Sequence, residues 1–203
     1  MIPVVLAPEY PNFDAEVRAP GAVFLAECPN PKAEQFKKKN FWTRAAKELH
    51  AAYSGICAYT AVYLPAQGSV DHFLPKSTFP SLAYEWKNFR LASGRVNNAK
   101  GNQEHIIDPF EVKDDWFHLD IPACLLRPNP KLDRLTRNRI NGTINSLGLN
   151  QDDYHVQERC NILMEFARGD VSESFLKRRY PFLYKEVIRQ SLDQATLCGL
   201  FRI

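Results

Sequence analysis

Proline is the residue whose covalent ring most restricts the backbone, and it stands at positions 3, 8, 11, 20, 29 and 31 of this chain. Locked φ angles and missing N–H donors at that density predict an extended arm over residues 1–31, lying along the rest of the protein. After the last of these prolines the pattern turns helical. Phe36, Trp42, Ala45, Leu49 and Tyr53 recur at spacings of three, four or six, which suits one buried face, and Gly55 ends the helix.

Ile56–Leu64 is rich in β-branched and aromatic residues and reads as a strand. Pro65-Ala66-Gln67-Gly68 makes a turn, and Ser69–Leu74 a second short strand. A loop over 75–83, a short apolar segment at Phe89–Ala92 and a small helix from Gly94 follow. Beyond the helix from Gly94, Trp116–Leu126 suggests a strand or hairpin, and the remainder is helical. Asn129-Pro130 reads as N-cap and first helical residue, with Leu132, Leu135, Ile140, Ile144 and Leu147 on one buried face. Further helices are expected over 153–167, stopped by Gly169, and over 172–179 and 181–196.

The 203 residues carry 45% hydrophobic and 24% charged side chains, which excludes disorder as the main theme. A net charge of +3 names no partner, but Lys87, Arg90, Arg95 and Lys100 fall in an acid-free run from Trp86 to Gln103. Such a local excess attracts phosphates. Five scattered cysteines form no C-x-x-C pair, so no disulfide framework is expected. No apolar stretch is long enough for a membrane span, and prolines interrupt any secretory signal. The cytoplasm is therefore the expected location.

The chemistry concentrates in Val70-Asp71-His72-Phe73-Leu74-Pro75-Lys76. Histidine is a base near neutrality, and Asp or Asn oxygens suit hard divalent cations. Neighbouring strand residues point to opposite faces, so using Asp71 and His72 together requires a kink or strand end there. Val-Asp-His-Phe-x-Pro-Lys, then Tyr84-x-Trp86-x-Asn88-Phe89-x-Leu91, then Asn97-x-x-Lys100-Gly101-Asn102 resembles the HNH, or ββα-metal, nuclease motif across about residues 55–102. The three blocks occur in order and at matching spacing.

The resemblance implies an α+β fold with a ββα-metal finger embedded in a mainly helical scaffold. An arm and helix would occupy 1–54, the finger 55–105, and a helical region packed as one unit with the finger 106–203. By position, His72 resembles the general base, and Asn88 the residue that shapes its loop. Asp71 and Asn97 resemble ligands of one Mg²⁺ or Mn²⁺, with Asn98 the fallback, while Lys76, Arg95 and Lys100 would contact phosphate. Many HNH proteins carry two zinc-binding C-x-x-C pairs. Here those positions read Cys57, Thr60, Ser93 and Val96, so no structural zinc is expected.

The opening Met1–Val4 with Pro8-Glu9, Asp108-Pro109-Phe110 and the helical tail look similar to HNH nucleases of Septu-type and retron-associated anti-phage systems. That implies an SMC/ABC-like ATPase partner. Duplex DNA is the substrate the family suggests. RNA, for instance a tRNA, and a silent module that only binds nucleic acid or a partner are the alternatives. His50, His105, His118 and His155 lack comparable company and read as structural or surface residues, His105 alone being a candidate substrate contact. Tyr53, Tyr59, Tyr63, Trp86 and Phe89 read as core, and Tyr84 as exposed.

Overall fold

The computed structural model describes every residue, Met1–Ile203. It is α+β, with two small two-stranded sheets among many helices. The chain divides into two compact units. One comprises Val5–Tyr59 and Leu64–Glu104, the other Met1–Val4, Thr60–Tyr63 and His105–Ile203. Most of the finger region thus falls in the unit that holds the N-terminal helices, and His105–Ile203 falls in the unit that also takes in Met1–Val4 and Thr60–Tyr63.

In the first unit the expected extended arm is helical over 14–27. A π-helical turn, Asp14–Arg18, runs into helix α1, Ala19–Glu27. Pro20 is the second residue of α1, directly after the π-helical turn. The helix expected from Ala33 to Tyr53 is divided into α2, Ala33–Lys38, a 3-10 turn at Phe41–Ala45, and α3, Ala46–Ala52.

Residues 56–64 do not form the expected strand. Ala61, inside this segment, has positive φ, outside the extended region a regular strand needs, and the amide of Ala58 bonds to the Leu91 carbonyl. The pairing strands are β1, Ser69–His72, and β2, Phe89–Ala92, antiparallel in the register Asp71↔Arg90 and His72↔Phe89. Helix α4, Gly94–Lys100, follows directly, its first turn capped by Ser93 Oγ accepting from the Val96 amide. Strand, strand and helix thus succeed one another over residues 69–100.

Aromatic rings hold this unit together. Phe13 meets Trp86 and Phe89 edge to face, at 5.5 and 5.9 Å between centroids, and the Trp86 indole N–H donates to the Ala7 carbonyl. Tyr84 is buried, not exposed as its sequence context suggested. Its hydroxyl donates to the Lys39 carbonyl, and its ring fills the space that a side chain at Gly21 of α1 would need.

Where a strand or hairpin is expected over 116–126, the second unit contains a hairpin of β3, Phe117–Asp120, and β4, Leu125–Pro128. Helices α5, Arg134–Ser146, α6, Asp153–Arg168, α7, Glu173–Arg179, α8, Pro181–Arg189, and α9, Gln194–Phe201, complete it. Asp133, and not Asn129, caps α5. Asn129 instead accepts from the Lys131 amide and donates to Asp115. Leu135 is 72% exposed, off the face that buries Ile140, Ile144 and Leu147. Gly169 ends α6 in the left-handed conformation, as expected. The helix expected over 181–196 is split at Ser191, whose φ is positive, and restarts with Asp193 capping α9. Cys124 and Cys160 are disulfide-bonded, where the scattered spacing of the cysteines suggests no disulfide framework. No helix of the chain is long and apolar enough to cross a membrane.

Candidate active site

β1 ends at His72, and this strand end sets the site. The imidazole is 7% exposed and stands between the Trp42 and Phe89 rings, nearly perpendicular to both, at 4.9 and 5.3 Å. Its Nε2 lies 2.8 Å from the Ala83 carbonyl. A carbonyl only accepts, so Nε2 carries the proton and Nδ1 is the acceptor nitrogen of the neutral ring. Burial, and then the Lys76 charge, depress the ring's pKa to about 3, although the Ala83 bond acts in the opposite sense.

The loop between the strands is held by Asn88, in the 3-10 turn Trp86–Asn88. Its Oδ1 accepts from the Leu74 amide at 2.8 Å, and its Nδ2 donates to the carbonyls of Leu74 and Leu82 at 3.0 and 3.1 Å. One side chain therefore ties both limbs of the loop just beyond His72 and just before Ala83.

Asp71 faces away from His72, as strand alternation requires. It is 2% exposed. Tyr59 donates to its Oδ2 at 2.5 Å, and the Lys100 ammonium lies 3.1 Å from its Oδ1. Burial raises the carboxyl pKa, while Lys100, Tyr59 and Arg90 pull it down. Lys100 is fully buried and also donates to the His72 carbonyl at 2.7 Å, so in this conformation it is not the phosphate contact the resemblance implied.

Asn97 of α4 donates to Ser69 Oγ at 3.1 Å, and Ser69 in turn donates to the Ala92 carbonyl. Asn98 and Arg95 lie exposed on the same helix. Lys76 is half-buried, its ammonium 5.2 Å from the Trp42 ring centre, and desolvation lowers its pKa. The structure therefore gathers His72, Asn88, Lys76 and Asp71 around one strand end. Asn97 is latched at the start of β1, and Arg95 and Asn98 stand on the outer side of α4.

Three participants were not marked in the sequence. Trp42 looked like ordinary helix-face core, Tyr59 like a strand residue, and the Ala83 carbonyl has no side-chain signal at all.

Asp71 and Asn97 are the donor types a hard divalent cation seeks. In this arrangement they do not fit one. Each Asp71 oxygen already has a partner, one an ammonium, and the Asn97 amide is turned to Ser69. The cation facing Asp71 is Lys100. The charge balance nonetheless favours anions, because Lys100, Arg90 and Lys76 all act on the single carboxylate of Asp71. No protein-family model matches this chain, and no curated protein matches it.

Proposed function

We propose that this chain is an HNH-type endonuclease that hydrolyses phosphodiester bonds, with DNA as substrate and His72 as general base. The observation that carries the reading is the His72 ring, held at a strand end with Nε2–H on the Ala83 carbonyl and Nδ1 as its acceptor. In this reading Nδ1 takes a proton from the attacking water. Lys76, beside the ring, stabilises charge that develops on the phosphate. Asn88 and Trp42 keep the imidazole in place. The low pKa keeps Nδ1 unprotonated at neutral pH, at the cost of basicity. Mg²⁺ or Mn²⁺ dependence and an SMC/ABC-like ATPase partner in anti-phage defence belong to the same proposal, supported by the motif resemblance alone.

Plasmid DNA and total RNA are incubated with wild type and His72→Ala, each with Mg²⁺, Mn²⁺ or EDTA. Loss of one substrate, slower by ~10²–10⁴ in the variant, is the expected result, matching what a positioned general base contributes. A loss below twofold removes His72 from the role of base. Which nucleic acid disappears decides DNA against RNA, and the EDTA arm decides metal dependence.

A further inference from the structure

Helix α5 carries three arginines and no acidic residue over its 13 positions. It packs inward through Ile140, Thr143 and Ile144. By helical spacing the opposite side is centred on Arg134, Asn138 and Asn141, four and three residues apart, and all three are exposed. None of these three side chains hydrogen-bonds or ion-pairs within the protein. Gly142 shares that side, and a methyl group added there would meet nothing within 4 Å. Asparagine is a mediocre helix former and glycine a poor one, so the face lowers helix stability without a packing contact in return. The charge is equally one-sided. Arg134 and Arg137 meet no carboxylate, and Arg139 reaches only the exposed Glu111, at 3.5 Å. A merely solvated helix face ordinarily mixes both signs in pairs one turn apart.

We propose that α5 is a sequence-reading helix that lies in the major groove of duplex DNA, with Arg134, Asn138 and Asn141 facing base edges. The inference rests on the DNA-nuclease reading for its partner and adds what that reading lacks, a means of choosing sequence. The B-form major groove is ~12 Å wide and admits an α-helix. The 13 residues of α5 extend about 20 Å, enough to follow it. Asparagine bonds the N6 and N7 atoms of adenine as a pair, and arginine does the same with O6 and N7 of guanine. Leu135, exposed beside them, supplies the apolar contact that a thymine methyl takes. The missing side chain of Gly142 lets the helix backbone come close to the groove. Arg137 and Arg139 flank the reading face and contact phosphates, the weak surface pair with Glu111 giving way at little cost. Side chains cannot read the deep, narrow major groove of A-form RNA, so the same face favours DNA.

Full-length wild type is used to select its preferred sequence from a randomised duplex DNA pool in EDTA, where metal-dependent cleavage is suppressed. Binding to a fluorescent duplex of that sequence, to a scrambled duplex and to the matching RNA duplex is then measured by anisotropy. Wild type is expected to prefer the selected duplex by roughly tenfold or more over both others. Asn138→Ala/Asn141→Ala is expected to lose roughly tenfold of that preference while keeping its binding to scrambled DNA, and Arg134→Ala to relax selection at one further base pair. Alanine is the better helix former, so both variants are expected to melt at or above the wild-type temperature, which separates lost contacts from lost folding. A wild type that selects no sequence, or binds the RNA duplex as tightly, overturns the proposal without recourse to any variant. So does undiminished preference in both variants, which would leave the face to a protein partner. Selection is read in EDTA and cleavage in Mg²⁺ or Mn²⁺, so cleavage without selection removes the α5 proposal alone, and selection without cleavage removes the nuclease reading alone.

Discussion

At the scale of single residues, hydrogen-bond accounting gives the sharpest expectations. Asn88 satisfies one amide and two carbonyls of the loop beyond β1. Asn88→Ala strands the Leu74 amide and carbonyl in a partly buried setting, while the Leu82 carbonyl keeps the Glu85 amide, and at about 1–3 kcal/mol for each unmet partner a loss of roughly 2–6 kcal/mol is expected in denaturant unfolding. Asn88→Asp is expected to be no better. Its carboxylate can still accept from the Leu74 amide but presents only acceptors to the Leu74 and Leu82 carbonyls. Wild-type stability for Asn88→Asp would contradict this bonding scheme. His72 carries a pH signature. Its folded pKa of about 3 lies below the unfolded value, so the unfolded chain takes up the proton first as pH falls. Its contribution is complete above the unfolded pKa, near 6.5, and is lost progressively toward about 3. Between pH 7 and pH 5 wild type is expected to lose about 2 kcal/mol more stability than His72→Gln, measured by urea unfolding at each pH.

At the scale of elements, α1 shows how contact outweighs propensity. Replacing a helical glycine with alanine ordinarily gains up to ~1 kcal/mol. At Gly21 the added carbon would lie 2.2 Å from the Tyr84 ring, far inside contact distance, in a core packed on both sides. Overpacking of that kind costs about 1–3 kcal/mol, so Gly21→Ala is expected to lower the melting temperature despite the better helix former. An unchanged or raised melting temperature would mean that Tyr84 and α1 are not packed as described. The strand elements carry a related lesson. Apolar and β-branched composition marked both 56–64 and 69–74 as strands, but only Ser69–His72 pairs, and its partner is Phe89–Ala92. β-propensity reports a side chain suited to a half-buried surface, and the coil around Cys57, Ala58 and Tyr59 offers burial without a ladder.

At the scale of the molecule, the second unit has a covalent closure that the first lacks. Cys124 and Cys160 are separated by 36 positions, and a loop of that size is worth about 4 kcal/mol through restriction of the unfolded chain. Cys160→Ser is expected to lower stability by roughly 2–5 kcal/mol, seen as faster amide exchange in α5 and α6. Equal exchange in the two proteins would show that the bond contributes nothing. From sequence alone came the α+β class, strand structure near 116–126, and the Gly169 stop. Those follow from local rules: periodicity, turn residues and motif spacing act over a few neighbours. The Cys124–Cys160 bond, the burial of Tyr84, the Ala83 carbonyl that selects the His72 tautomer and the seating of Lys100 against Asp71 were decided only in three dimensions. Each joins residues distant in the chain, or depends on a main-chain oxygen that every residue possesses, so no side-chain pattern could announce it.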